Sequence, residues 1–297
     1  MTRVHDAGAE GDELAGVHRS HAAHQADLGE LLGLKLTPYG KVGDYHNQHF
    51  RGLSARGTSV FVTLLDDADY WSRALRATPL AEWAGIRTPG LLEHGHLHDD
   101  HWWLVHEWHE MQEFVPTARN IAKAGELLGL LHRTTSGMHL EPHFERHDLD
   151  EEIESRASAL EALDPVAADR TRAARSKWGA IEEPDTVCLT HGDTHWRNFG
   201  IDRDGELLWY DWENATCGYP VLDFGKLIDH GLTAPAERDT FLRGYHRSAA
   251  TIYPWPPAMR LVRLWCAAGV LVYSLARGLR DFAAHGYRVL AQLEGVT

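Results

Sequence analysis

The sequence is poor in cysteine, in lysine and in long apolar runs. Its three cysteines (Cys188, Cys217, Cys266) among 297 residues cannot form a paired framework, so a reducing cytoplasm is the expected location. The longest apolar run, Leu264–Ala276, has 13 residues where a bilayer span needs about 20, so no membrane partner is expected. The opening stretch MTRVHDAGAEGDELAG lacks an apolar core, which predicts no signal peptide. There is no internal repeat and no low-complexity tract. Lys and Arg number 29 against 43 Asp and Glu, for a net charge of −14. That balance lacks the basic footprint of a nucleic-acid binder and suits a neutral or cationic ligand. Lysine is absent altogether from residue 42 to residue 122.

What remains is globular in composition, with 43% hydrophobic and 24% charged residues. His18, His21 and His24 recur at a spacing that sets them near one helix face, either solvated or chelating. From Lys35 to Leu65 the pattern predicts strands, with a turn around Gly43 and Asp44 and a β-branched run TSVFVTLL. ADYWSRALRATPLAEWAG has helical spacing and stops at Gly85. GLLEHGHLHDDHWWLVHEW predicts a hairpin turning at His98, Asp99 and Asp100. Its alternating His94, His96 and His98 share a face, which suits a polar turn or a transition-metal site. Helical periodicity then covers 117–134, 148–178, 235–248 and the stretch from Pro257 nearly to Gly295. One β-like patch interrupts it, from Val187 to Tyr210. The expected architecture is α+β, with a small β-rich lobe at 1–108 and a larger helical lobe at 109–297. The seam near 105–110 is a natural place for a ligand.

The chemistry concentrates in LTHGDTHWRNFGIDRDGELLWYDWENATCGYPVLDFGKL, residues 189–227. Asp193 falls on a tight loop after a short strand, and Asn198 follows on the same loop. A hairpin around Arg203-Asp204-Gly205 then returns the chain so that Asp211 faces Asn198. A carboxylate and an amide oxygen converging in this way suit Mg²⁺. Asp193 is left free to accept a hydroxyl proton, which completes the parts phosphoryl transfer needs.

The segments H-G-D-x-H-x-x-N (His191–Asn198), D-W-E (Asp211–Glu213) and G-x-P-x-x-D (Gly218–Asp223) resemble the aminoglycoside phosphotransferase family. The resemblance runs from about residue 37 to 285. It implies a two-lobed protein-kinase-like fold and an ATP- or GTP-dependent transfer to an alcohol group. It makes Asp193 the catalytic aspartate, Asn198 and Asp211 the Mg²⁺ ligands, and His191 a loop brace. His195 stands where protein kinases carry a γ-phosphate lysine, so it is a candidate for that contact. Arg197 is a candidate for the phosphate or the acceptor, or a solvent-facing side chain. Asp223-Phe224-Gly225 spells the protein-kinase metal motif but matches the family's later, structural aspartate. V-G-D-Y-H-N-Q-H-F resembles the family's shortened glycine loop, with Gly43 at the turn and the N–H groups of Asp44, Tyr45 and His46 toward phosphate. Trp103–Trp108, including Glu107 and Trp108, falls where the adenine-binding hinge belongs, and 126–132 matches the first helix of the second lobe.

One expected feature is missing. The lysine position on the third strand holds Thr63, and its glutamate partner's position holds Ala74. Arg51 and Lys41 are the nearest substitutes for the cation; alternatively, nucleotide binding is lost and the chain is a binding subunit. The implied acceptor is a small molecule, such as an aminoglycoside-like antibiotic or a metabolite. A Ser or Thr of a biosynthetic peptide is the rival acceptor. The acidic run Asp148–Glu154 suits either a cationic acceptor's cleft or the N-terminal turn of a helix. Cys188 is read as a buried strand residue.

Overall fold

The computed structural model describes residues 22–39, 47–97, 101–140, 144, 148–178, 187–249 and 255–295. Contacts divide the chain into two units: Met1–Leu75 with Pro89–Glu110, and Arg76–Thr88 with Met111–Thr297.

The first unit is built on a five-stranded antiparallel sheet. A helix, α1, spans residues 22–32. It is followed by β1 (Leu34–Pro38), β2 (Gln48–Ser54), β3 (Ser59–Leu65), the start of α2 (Ala68–Trp83), β4 (Leu91–Leu97) and β5 (His101–Glu107). The spatial order is β1-β2-β3-β5-β4. Alternation along the strands separates two faces. Phe50, Val60, Val62, Leu64, Trp103 and Val105 pack with Leu28 and Leu36 on one face. On the other, Leu65 and Leu104 pack with Ala74 of α2. Pro79 lies inside α2 and, lacking an N–H, leaves the Leu75 carbonyl without its helical donor. The contact division of α2 falls at that residue.

The second unit takes the end of α2 and most of the remaining chain. It contains β6 (Gln112–Glu113), α3 (Ala118–Thr135), α4 (Leu149–Glu161), α5 (Pro165–Ser176), β7 (Cys188–Thr190), β8 (Phe199–Ile201) and β9 (Leu207–Trp209). It continues with β10 (Thr216–Gly218), α6 (Gly225–His230), α7 (Pro235–Ser248), α8 (Trp255–Ala276) and α9 (Arg280–Glu294). β6, β8 and β9 form one small sheet, and β7 pairs with β10 in another.

One core joins α2, α3, α7 and the β8–β9 hairpin through Ala81, Leu128, Phe199, Trp209 and Phe241. There α3 and α7 approach closely enough that a Cβ on Gly244 would lie 2.1 Å from the Ala122 carbonyl oxygen. A second core joins α4, α5, α8 and α9 through Ile153, Leu160, Ala168, Leu264 and Leu290.

Three sequence expectations need correction. The helix over 148–178 is two helices, because Asp164 caps a new one whose first residue is Pro165. The stretch after Pro257 is also two helices, broken near Gly278 at φ +67°. Length and composition do admit a span: Ala258–Ala276 has 19 residues at mean hydropathy 1.4. Counting only uninterrupted apolar residues had missed it, since arginines interrupt its first half. Residues of that helix, among them Val262, Leu264 and Leu271, are packed inside the second core. Cys188, Cys217 and Cys266 are buried and form no disulfide.

Candidate active site

The loop after β7 is held from within by Asp223. Its carboxylate is 1% exposed. Oδ2 accepts from the His191 N–H at 2.9 Å and sits 3.0 Å from His132 Nε2. Oδ1 accepts from the Gly192 N–H at 2.8 Å and the Thr194 hydroxyl at 2.9 Å. Burial pushes this carboxyl up, but the His132 hydrogen bond and the others outweigh it, and the net pKa is below the carboxylate norm. His132 also meets the Tyr245 hydroxyl at 3.0 Å, so α3 and α7 anchor the loop together. Enclosed in this way, Asp223 braces the loop.

Gly192 makes the turn possible. It has φ +74°, and a Cβ there would lie 2.0 Å from the Asn214 carbonyl oxygen. His191 stacks on Trp209 at 4.8 Å. Its Nε2 donates to the Tyr210 carbonyl and its Nδ1 accepts from the Asp193 N–H. That pattern requires the neutral ring, and burial lowers its pKa accordingly.

The β8–β9 hairpin forms as expected, with Phe199 opposite Trp209. Asn198 donates Nδ2 to the Asp193 carbonyl at 2.8 Å, which turns its amide oxygen away from that contact. Its own carbonyl accepts from the Tyr210 N–H at 3.0 Å, placing it beside the residue before Asp211. Asp211 has φ 71° and ψ 58° and is the one non-glycine residue with positive φ among those described. Such strain persists only where surrounding contacts enforce it, and it concentrates at functional sites. The Asp211 side chain opens to solvent, while the protein around it and the Asp193 carboxylate raise its pKa to about 7; Lys226 pulls it down.

Asp193 is not free, contrary to the sequence expectation. Its Oδ1 lies 2.6 Å from Lys226 Nζ, on the first turn of α6. Burial pushes the Asp193 carboxyl up, but the Lys226 ammonium overrides this and holds it below its ordinary value. Sequence spacing missed Lys226 because 33 residues separate it from Asp193. Its only signal was a cation directly after the D-F-G tripeptide. His195 accepts from the Arg197 N–H through Nδ1 at 3.0 Å, and burial lowers its pKa. Arg197 is exposed.

In the first unit, Arg51 lies over the Trp108 ring at 4.6 Å and donates to Ser59. The Glu107 N–H is engaged by the Gly90 carbonyl, and Glu107 Oε2 lies 3.3 Å from His109 Nε2. Thr63 is buried, with its hydroxyl 3.4 Å from His49 Nδ1. Ala74 packs against Leu65 and Leu104 in an apolar cluster. Gly43, Asp44, Tyr45, His46 and Lys41 lie outside the described residues, as do His18, His21 and the hairpin turn at His98–Asp100. Among the described residues no group of three His, Cys, Asp or Glu is placed to hold a metal. His94 and His96 instead meet the rings of Trp71 and Trp102. The acidic run is largely committed within its own lobe. Asp148 caps α4, Asp150 pairs with Arg175, and Glu154 pairs with Arg172.

The sequence matches the profile of the Phosphotransferase enzyme family over residues 43–262. No curated protein sequence matches it. Among solved structures, choline kinase LicA from Streptococcus pneumoniae superposes with TM-score 0.69 at 14% identity, covering 93% of this chain and 99% of that one. A spectinomycin phosphotransferase in complex with ADP and spectinomycin gives TM-score 0.68 at 13% identity, covering 89% and 93%. A choline/ethanolamine kinase family protein from Mesorhizobium loti gives 0.63 at 20% identity, covering 94% of both chains. These likenesses establish the two-lobed, α+β protein-kinase-like fold. With the profile spanning about three-quarters of its length, the chain belongs to the phosphotransferase enzyme family.

Proposed function

We propose that the chain transfers the γ-phosphate of ATP or GTP to a hydroxyl of a small molecule. The observation that carries this reading is the convergence of Asp193, Asn198 and a strained Asp211 on one braced loop and hairpin. Asp193, ionised and aimed by its backbone contacts, orients the acceptor hydroxyl and takes its proton as the new O–P bond forms. Asn198 and Asp211 offer one amide oxygen and one carboxylate. That sparse, hard set fits Mg²⁺, which keeps waters and takes its remaining oxygens from phosphates. When bound, the metal would neutralise charge on the phosphates; the protein's own part is to fix the two oxygens and the base.

The solved relatives include proteins complexed with spectinomycin or hygromycin B and a choline kinase, which supports a small-molecule acceptor over a peptide. Relatives complexed with ADP or AMP-PNP support the nucleotide. In the first unit, Arg51, Glu107, Trp108 and the segment Gly43–His46 remain the proposed nucleotide contacts. His195 and Arg197 remain proposed neighbours of the reaction.

Titration calorimetry with MgATP and MgGTP tests the reading, alongside Asp211→Asn. Micromolar binding weakened at least tenfold by the substitution is expected, followed by a screen of hydroxyl acceptors. The rival reading, a binding subunit without nucleotide, draws on the neutral Thr63 and Ala74. It predicts no heat with either nucleotide.

A further inference from the structure

We propose that Lys226 is the cation this chain sets against the phosphoryl group in transfer, a contact distinct from the α- and β-phosphate contact that a lysine on β3 makes in kinases of this fold. The inference rests on the phosphotransferase reading and assigns a residue to it.

Geometry comes first. Lys226 Nζ is 2.6 Å from Asp193 Oδ1, and the two side chains keep 35% and 25% of their surface exposed. The pair is half-buried, with part of each side chain still within a ligand's reach. An acceptor hydroxyl bonded to Asp193 lies about 2.7 Å from the carboxylate, and the phosphorus it attacks about 3 Å further on. A lysine held on that carboxylate comes within hydrogen-bond reach of the equatorial phosphoryl oxygens, where transition-state charge develops. An ammonium has three donors, so it can keep Asp193 and still serve those oxygens.

A purely structural role explains Lys226 poorly. The loop is already fixed by three hydrogen bonds to Asp223, which His132 of α3 anchors in turn, and by Asn198 on the Asp193 carbonyl. The first turn of a helix is also where a cation is least favoured. Local preference is broken here, as it is at functional positions.

The other candidates are weaker. His195 has its Nδ1 taken by the Arg197 N–H. Arg51 is drawn to Ser59 and Trp108. Among the described lysines, Lys123 approaches Glu126 and Lys177 bonds the Glu294 carbonyl; Lys226 is the one that meets the catalytic loop. In the step itself, the acceptor O–P bond forms and the bond from γ-phosphorus to the bridging oxygen breaks. The hydroxyl proton goes to Asp193. Lys226 keeps its protons and acts by charge and hydrogen bonds alone.

The test needs no acceptor. Calorimetry compares MgADP with the Mg²⁺ complex of the non-hydrolysable triphosphate analogue AMP-PNP, for the native chain, Lys226→Met, Lys226→Arg and the distant control Lys123→Met. The native chain is expected to prefer the triphosphate. Lys226→Met should lose at least tenfold of that preference while its MgADP affinity moves less than threefold. Lys226→Arg and Lys123→Met should keep the preference. Should Lys226→Met fail to fold by thermal denaturation, Lys226→Gln takes its place. An undiminished preference in the neutral variant overturns the assignment and leaves the phosphotransferase reading standing. No binding of either nucleotide to the native chain overturns that reading, and the assignment with it.

Discussion

The two units handle charge in opposite ways. In the first, the β3 position expected to carry a lysine holds a buried Thr63 beside a neutral His49, and the position expected to carry its partner holds Ala74 among leucines. In the second, Asp193, Asp211 and Lys226 crowd together, with Asp223 buried beneath them. The contrast teaches that both positions where the resemblance implies a charge are neutral together. Removing one partner alone would strand a buried charge, at about 3–5 kcal/mol. Replacing both by neutral groups avoids that penalty. The proposed charge on phosphate then comes from the second unit, where Lys226 pairs with Asp193.

The sharpest break in the comparison is Asp193→Asn. If the second unit holds the chemistry, nucleotide turnover should fall by about 10²–10⁴-fold, while the melting temperature stays within a few degrees. Turnover that survives would move the base elsewhere.

Next is Asp223→Ala, which leaves two loop N–H groups, Thr194 and His132 without their acceptor. Urea denaturation should show a loss of about 3–5 kcal/mol. A loss below 1 kcal/mol would mean the loop is held by other contacts. Gly244→Val follows. Its side chain meets the Ala122 backbone, and forcing α3 and α7 apart should cost about 2–3 kcal/mol in the same assay.

A smaller effect separates the units by pH. Burial lowers His49 and His106, both in the first unit, from 6.5 to about 4. A histidine with a folded pKa below its unfolded value binds fewer protons when folded. Stability therefore falls as pH drops from 6.5 toward 4 and levels off below. Each histidine should contribute about 2 kcal/mol of that loss after solvent screening. His49→Asn should flatten the slope in denaturation followed by amide exchange of β2 and β3; an unchanged slope would place the sensitivity elsewhere. The smallest effect expected is Thr63→Val, which should leave MgATP affinity within twofold by calorimetry. A tenfold loss would return phosphate binding to β3.

Much of this was legible in the sequence because it is local. The β8–β9 hairpin follows from Arg203-Asp204-Gly205 between two apolar runs, and α3 from its leucine periodicity closing on His132. The loop motif pointed to Asp193, Asn198 and Asp211 because their spacing is set by one turn and one hairpin. The helix breaks at Asp164-Pro165 and near Gly278 were written in cap and left-handed-turn residues that a periodicity reading passed over.

The sequence alone, then, determined most of the strands and helices, though not where two long helical stretches break, and the motif that names the family. Tertiary structure alone decided that Asp211 sits in a left-handed conformation, that Asp223 is enclosed by His132 and the loop amides, and that Lys226 meets Asp193. The reason is physical. Periodicity, caps and turns act over a few residues, whereas the Asp223 and Lys226 pairings join positions 31 to 91 residues apart. Nothing local encodes such pairings; they exist only once the two cores of the second unit have packed.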